Sequence, residues 1–266
     1  MSKDLVQQQF GANAAAYLTS TVHAKGASLA RLVELVKPAK SWLALDVATG
    51  AGHTAAAFAP HVARVVASDL TPQMLEQTKK LAAEKGFANM ETAIADAESM
   101  PFPDQSFDLV TCRIAPHHFP DIAMFLAETQ RVLKPGGIFA LVDNVAPDSE
   151  TTPGFSKVEL RDAGIGYNAL EKVRDPSHGR ALATAEWLEL IEEAGLKLRH
   201  REHAPKAMDF ASWVKTMNVP AETVPRLRAM LDDASPALKA FLKPATVDGK
   251  LGFTLDELIA IAERPS

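Results

Sequence analysis

The stretch Leu45-Asp46-Val47-Ala48-Thr49-Gly50-Ala51-Gly52-His53 decides the fold. It closes an apolar run over 42–47, sets an acid near the end of that run, and passes through a glycine-rich turn into a helical segment. Tight turns use backbone angles closed to most residues, and a bound group can approach the main chain only where no Cβ intervenes, so glycine is what such a turn requires. Strand, turn and helix in this order bind nucleotide-like cofactors. Glycines at this spacing also suit a purely structural turn, so the surrounding sequence has to decide.

Downstream, short runs rich in Val, Ile, Leu and Phe recur at 62–68, 90–94, 107–112 and 137–142, separated by amphipathic helical patterns. Apolar strands alternating with helices mark a parallel sheet covered on both faces. Thr71-Pro72 reads as a helix start and Gly86 as its stop, and Asp121 caps the next helix. That helix carries Phe125, Leu126, Thr129, Val132 and Leu133 at three- and four-residue spacing, and Lys134-Pro135-Gly136-Gly137 turns the chain into the following strand.

Upstream, residues 6–36 are helical in pattern, with Leu29, Leu32, Val33 and Val36 suited to packing on the sheet edge. Beyond Asp143 the pattern changes: residues 151–180 mix helical stretches with Gly, Asp and Pro breaks, 184–194 is a capped helix, and 196–203 reads as a strand. Residues 210–242 are helical again, and 247–253 supplies a last edge strand. The expected fold is a doubly wound, mostly parallel, seven-stranded α/β sheet with an N-terminal cap helix and helical insertions over the site.

A chain of 266 residues with 47% hydrophobic content can bury a sizeable core. Its net charge of -5 offers no overall attraction to phosphate backbones or anionic lipid, so neither nucleic acid nor membrane is an expected partner. The lone cysteine, Cys112, excludes an intramolecular disulfide and a cysteine-rich zinc site, and its apolar surroundings predict a buried thiol in a reducing, cytoplasmic setting. The first residues carry an acid and several glutamines where a secretory signal needs an apolar core, and no membrane-length apolar stretch follows, so a soluble, unprocessed chain is expected.

Asp69 follows the glycine turn by about 20 residues, at the end of the second strand, where a carboxylate can accept both hydroxyl hydrogens of a ribose. Charged hydrogen bonds of this kind contribute about 1.5 to 3 kcal/mol each. Gly50, Gly52 and Ala55 followed by Asp69 also satisfy the dinucleotide fingerprint, which keeps a nicotinamide oxidoreductase in view. Asp46 argues against it: a carboxylate four residues before Gly50 repels a pyrophosphate, whereas a cationic amino-acid tail tolerates it.

The motifs D-x-x-T-G-A-G at 46–52, S-D-L at 68–70 with Met74, A-D-A-E-S-M-P-F-P-D-Q-S-F-D-L-V at 95–110 and R-V-L-K-P-G-G at 131–137 follow in order. Together they resemble the class I S-adenosylmethionine-dependent methyltransferase family, with the ubiquinone and menaquinone C-methyltransferase type the nearest likeness. The resemblance covers residues 41–143. It implies that Asp46 and Gly50 to Gly52 line the methionine moiety and that Asp69 holds the ribose hydroxyls, with Leu70 and Met74 alongside. It further implies that Asp96 meets the adenine amino group beside Ala97. One departure is Ala48, where the family often has a third glycine. On this reading residues 1–40 form a helical cap, 41–145 the cofactor-binding core, and 146–266 the substrate-side insertions and last strands of a single domain.

Methyl transfer is an in-line displacement in which the cofactor carries the reactivity and the protein supplies orientation, about 7 to 11 kcal/mol in favourable cases. An acceptor that must lose a proton is helped by a base near neutral pKa. His117 and His118, just past the fourth strand, are the catalytic candidates. No third ligand stands at useful spacing, so no metal is expected. In the resembling family the turn after the fourth strand borders the methyl group, which implies that Arg113 contributes its backbone to the cofactor pocket and that Tyr17 lids it, with Phe10 offering an aromatic face to a sulfonium. His53 is a helix-cap or cofactor neighbour or, equally, an exposed helical histidine, and Asn144 faces the substrate side. Tyr167, Arg174, Asp175 and His178 read as surface-loop residues, with lining of the acceptor pocket as the alternative, and Arg226 and Arg228 as a solvated helix face.

The expected partner is a small-molecule acceptor, with a homodimer as the assembly to test. Besides the oxidoreductase, a non-catalytic S-adenosylmethionine-binding protein is the other alternative. Oxygen, nitrogen and carbon acceptors can all use one cofactor site, so the sequence leaves the methylated atom open.

Overall fold

Alternating side chains of the buried strands divide the interior into two layers, because successive residues of a strand point to opposite faces. Leu45 and Val47 join Val110, Cys112, Phe125, Phe139, Leu141 and Trp187 on one face of the sheet. Ala44 joins Val65, Ala67, Leu109, Ala140, Val142 and Phe58 on the other. The computed structural model describes residues 3–18 and 26–266, those from 12 to 18 as backbone alone.

The elements run α1 (Lys3–Leu18), α2 (Ala27–Val36), β1 (Leu43–Val47), α3 (His53–Phe58), β2 (Arg64–Asp69), α4 (Pro72–Lys85), β3 (Met90–Ile94) and β4 (Phe107–Arg113). They continue as α5 (Ile122–Val132), β5 (Leu133–Asn144), α6 (Lys157–Arg174), α7 (Thr184–Glu193), β6 (Lys197–Asp209), α8 (Phe210–Thr216), α9 (Val224–Asp232), α10 (Pro236–Leu242), β7 (Ala245–Val247) and β8 (Lys250–Glu263). The strand order is β3-β2-β1-β4-β5-β8-β6, with β7 paired on β8. Strands β1 to β5 are parallel, and β8 runs antiparallel to both β5 and β6. This is the doubly wound, mostly parallel α/β sheet expected from the strand and helix alternation.

Chain order reverses between β1 and β4, where the carboxyl ends of adjacent strands leave a crevice for ligands. Val47 pairs in register with both Ser68 and Cys112, so the glycine turn, the end of β2 and the turn after β4 reach the same edge. Local chemistry sets the helices that follow. Gly86 stops α4 in the left-handed region at φ 70, and the Asp121 side chain accepts from the Met124 N–H to start α5. Thr71 stands at the start of α4 without a side-chain cap bond.

The structure corrects the sequence reading in three places. The sheet has eight strands rather than seven, because β7 and β8 form a hairpin through Asp248 and Gly249, both at positive φ. Asp-Gly is the pair that such a two-residue turn favours. The stretch 247–253 is therefore this turn and the start of β8, a 14-residue strand inside the sheet, and the edge belongs to β6. Finally, α2 packs on a face and not on the edge: Leu32 and Val36 bury with Val142, Ile259 and Ile261. A third apolar cluster joins α6, α8, α9 and α10 through Tyr167, Trp213, Leu227 and Phe241 against Phe253 and Leu255 of β8. No helix among the described residues is long and apolar enough to cross a membrane.

Phe125 has no exposed surface and meets Phe119 and Phe139 edge-on, with ring centroids 5.0 and 5.9 Å away. Phe125→Ala is expected to lower unfolding free energy by about 3–5 kcal/mol in denaturant titration. Its half-exposed neighbour gives the contrast, since Met124→Ala is expected to change stability by no more than about 0.5 kcal/mol.

Candidate functional site

Asp46 is buried at the end of β1, and its carboxylate holds the turn from behind. Oδ2 accepts from Thr49 Oγ1 at 2.5 Å and from the Ala55 N–H at 3.1 Å, while Oδ1 accepts from Thr111 Oγ1 of β4 at 2.6 Å. Burial raises its pKa to about 6, against the lowering effect of the Thr111 and Thr49 hydroxyls. The turn itself bends through left-handed angles at Ala48 (φ 50), Gly50 (φ 57) and Gly52 (φ 87). An alanine in that region costs of order 1–2 kcal/mol, so the turn with Ala48 keeps a strain that a third glycine would relieve.

The glycines have different jobs. A Cβ on Gly52 would stand 2.8 Å from Thr78 Cγ2, so Gly52 lets α3 and α4 approach and caps α3. A Cβ on Gly50 would meet nothing within 4 Å and would project into open space, in a residue that lines the cleft. Asp69, at the end of β2, accepts from the Gly50 N–H at 2.9 Å through Oδ2 and from the Thr71 N–H at 2.8 Å through Oδ1. Burial raises its pKa, opposed by those backbone donors. The Thr71 hydroxyl and the Leu70 N–H also face this carboxylate, whose two oxygens accept about four hydrogen bonds in all, and a ribose diol would share that acceptor set.

The cleft and its open mouth together take in about 1000 Å³ of space. Asp69, Leu70, Met74, Asp96, Ala97 and Gly50 line it, together with Thr49, His53, Thr54 and Arg113. Asp96 binds Lys3 Nζ at 2.5 Å through Oδ2 and accepts from the Glu98 N–H at 3.0 Å through Oδ1. Lys3 also meets Glu98 at 2.7 Å, and Gln7 donates to the Leu70 carbonyl at 2.8 Å. One face of α1, carrying Lys3, Val6 and Phe10, thus walls the cleft from the Asp96 end to His118. Arg113 lines the cleft with its Nε donating to Thr54 Oγ1 at 3.1 Å, and burial lowers its pKa.

At the far end the cleft is apolar, bounded by Phe10, Ile114, Ala115, Phe119 and Pro120, with His118 as the polar side chain. The Phe10 and His118 rings meet edge-on at 4.9 Å. His118 Nδ1 lies 2.9 Å from the Ser177 carbonyl oxygen, an acceptor only, so Nδ1 carries the hydrogen and Nε2 the lone pair. His117 sits behind it, away from the cleft lining: Asp143 accepts its Nδ1–H at 2.6 Å and its backbone N–H at 2.9 Å. Burial pulls the His117 pKa down, but the Asp143 carboxylate more than offsets it and the pKa ends above the ordinary value. Burial, then the charge of His117, pushes His118 down to about 3. His178 is pushed down to about 2 by burial and by the charges of His117 and His118.

Of the residues expected to bind cofactor, the structure gathers Gly50, Asp69, Leu70, Met74, Asp96, Ala97 and Arg113 along one cleft. Asp46 and Gly52 stand behind the turn instead of lining it, because the fold needs their groups against β4 and α4. The Tyr17 side chain lies outside the described residues. His118 reaches the cleft and His117 does not. Tyr167, Asp175 and His178 are buried, not surface-loop residues, because α6 and the segment after it fold inward onto the turn after β4. The sequence reading passed over Lys3, Glu98 and Ser177; only the helical spacing of Lys3, Val6 and Phe10 hinted at a shared face.

Residues 45–141 match the family model described as methyltransferase domain. The chain is 35% identical over 226 residues to a protein of Bacillus subtilis (strain 168) named uncharacterized methyltransferase YcgJ, covering 85% of each chain. A demethylmenaquinone methyltransferase of Chlorobaculum parvum is 41% identical over 104 residues, covering 39% of this chain and 41% of that one. The crystal structure of a Bacillus halodurans protein described as a methyltransferase superposes with a TM-score of 0.82 at 38% identity, covering 91% of this chain and all of that one.

Two outcomes are expected from these geometries. Asp69→Ala weakens S-adenosylhomocysteine binding in calorimetric titration by at least about tenfold for each ribose hydrogen bond lost, while Arg228→Ala on the outer face of α9 leaves it unchanged. His118 and His178 are held neutral, so below their unfolded pKa of 6.5 the unfolded chain takes up protons that the folded chain refuses. Their contribution to stability is present above pH 6.5 and is lost on acidification, by about 1.4 kcal/mol per group per pH unit. Urea unfolding between pH 6.5 and 5 is expected to show this loss, and the double variant His118→Gln, His178→Gln to remove most of it.

Proposed function

The chain belongs to the S-adenosylmethionine-dependent methyltransferases, and we propose that it methylates a small, largely apolar acceptor that gives up a proton at the His118 end of the cleft. The observation that carries this reading is the shape of one continuous cleft. Acceptors for a nucleoside stand at one end of it, and apolar walls around an uncharged imidazole stand at the other.

The residues present fit the cofactor. Gly50 leaves open the space that a Cβ would fill, Asp69 has acceptor capacity for the ribose hydroxyls, and Asp96 keeps a lone pair for an adenine amine beside the Lys3 ammonium. Bound there, S-adenosylmethionine supplies an electrophilic methyl group on a sulfonium. The chain's own part is then orientation, exclusion of water by the face of α1, and acceptance of a proton at His118 Nε2. A phenolic, enolic or acidic-carbon acceptor suits such an end. Its apolar body meets Phe10, Ile114 and Phe119, and its single ionisable group meets the imidazole. A cationic amine would need a carboxylate there, and the carboxylates lining the cleft, Asp69, Asp96 and Glu98, belong to its nucleoside end. Demethylmenaquinone, in the name of the Chlorobaculum relative, is a quinone whose reduced form is an aromatic quinol of this general class, and that relative supports the reading through the cofactor-binding core.

The test is transfer of a labelled methyl group to two acceptor panels, substituted phenols and quinols in one and alkylamines in the other, with NADH titration alongside. Turnover on phenols or quinols, cut by about 10²-fold or more in His118→Gln with S-adenosylhomocysteine affinity preserved, is the expected outcome. Turnover confined to amines overturns the acceptor reading. Tight S-adenosylhomocysteine binding with no turnover on either panel favours the cofactor-sensing alternative.

A further inference from the structure

The segment 175–180, between α6 and α7, is clamped onto the turn that carries His117 and His118. Gly179 and Arg180 donate their backbone N–H groups to the His117 carbonyl at 2.8 and 3.0 Å. Ser177 offers its carbonyl to His118 Nδ1 at 2.9 Å. The peptide of Ser177 is itself fixed, because Asp175 Oδ1 accepts from the Ser177 N–H at 2.8 Å and from Ser177 Oγ at 2.5 Å. Lys172 Nζ donates to the Pro176 and His178 carbonyls at 2.8 and 2.6 Å, and His178 Nε2 donates to Asn168 Oδ1 at 2.8 Å, which pins the segment to α6. Asp175 and Ser177 are 2% and 0% exposed, so this is interior structure and not a surface loop.

We propose that the 175–180 segment positions His118 for proton transfer. Asp175 orients Ser177, Ser177 holds the ring as the Nδ1–H tautomer, and Nε2 is thereby left as the atom that receives the acceptor's proton. The inference rests on the methyl-transfer reading of the cleft. The acceptor's X–H bond breaks and its proton goes to Nε2. The electron pair left on X forms the bond to the methyl carbon, and the carbon–sulfur pair stays on sulfur. One positive charge therefore passes from sulfonium to imidazolium. Asp175 Oδ2 lies 3.9 Å from Nε2, too far for a hydrogen bond and near enough to favour the cation that forms.

The groups around the ring pull in both directions: burial, the charge of His117 and Arg174 disfavour a proton on His118, while Asp175 and the Ser177 carbonyl favour it, so the ring rests uncharged before the acceptor arrives. His117, His178, Asp175, Arg174, Asp143 and Glu171 are the charged or titratable neighbours, contributed by the turn after β4, by β5, by α6 and by the segment itself. Each of the three imidazoles has one ring nitrogen fixed by a partner: His117 by Asp143, His118 by Ser177 and His178 by Asn168. A fixed partner on one ring nitrogen sets which nitrogen carries the hydrogen and how the ring is oriented.

The experiment uses the full chain labelled with ¹⁵N-histidine and saturated with S-adenosylhomocysteine, read by long-range ¹H–¹⁵N spectra. His118 is expected to show a protonated Nδ1 and an unprotonated Nε2 from pH 5 to 8. Asp175→Ala is expected to populate the Nε2–H tautomer, and Asp175→Asn, whose side-chain carbonyl still accepts from Ser177, to restore the original one, both with S-adenosylhomocysteine affinity within about twofold of the unaltered chain. An Nε2–H tautomer in the unaltered chain overturns the proposal without need of any variant, and so does an Asp175→Ala spectrum unchanged at His118. Failure of S-adenosylhomocysteine to bind the unaltered chain would instead remove the methyl-transfer reading, whatever tautomer is seen.

Discussion

A single buried carboxylate ties the cofactor side of this molecule together. Asp46 reaches Thr111 on β4, Thr49 in the turn and the first turn of α3, and its own carbonyl accepts from Ser68 Oγ on β2. Strands β1 and β4 neighbour each other at the point where chain order reverses, and nothing in their backbone ladder dictates how the loop above them should bend. The carboxylate does so: it takes up the donors that the turn and the helix start would otherwise leave unpaired in the interior. Burial raises its pKa to about 6, so the ionised form is held at neutral pH at a desolvation cost that those hydrogen bonds offset.

With the turn held from behind, the groups on its open side are free to face a ligand. Asp69 repeats the device one strand over, bonding the Gly50 and Thr71 N–H groups where it lines the cleft. The His118 side of the cleft is built differently. There the polar groups are brought by the inserted helix α6 and the segment after it, which close on the turn after β4 by backbone hydrogen bonds and bury Asp143, Asp175, His117, His118 and His178 together. Within that cluster the charges are unequal: the Asp143 carboxylate favours a proton on His117, and that proton disfavours charge on its two neighbours. The imidazole at the cleft is accordingly one of the two that stay uncharged.

The cofactor half was legible because its determinants are local. Residues 46–52 carry their own turn chemistry, Asp69 stands at the end of a strand whose apolar run is visible, and Gly86 and Asp121 end and begin helices by their own backbone preferences. The rest of the cleft wall was obscured because its determinants are pairings across long sequence separation. His118 and Ser177 are 59 positions apart, Lys3 and Asp96 are 93 apart, and no periodicity marks either pair. The place of β8 was hidden for the same reason. Its apolar run Leu258 to Ala262 is clear, but whether such a strand lies at an edge or between β5 and β6 depends on what packs on its two faces.

By itself, then, the amino-acid sequence determined the alternation of strands and helices, the glycine turn, and the acids at the ends of β2 and β3. Each of these follows from short-range backbone geometry and the burial of contiguous apolar runs. Only the tertiary structure decided that Asp46 and Gly52 support the turn from behind, that His118 and not His117 reaches the cleft, and that Asp175 and Ser177 hold its ring. Those roles depend on which side of a strand or turn faces a neighbour distant in the chain, and that is settled only when the layers pack.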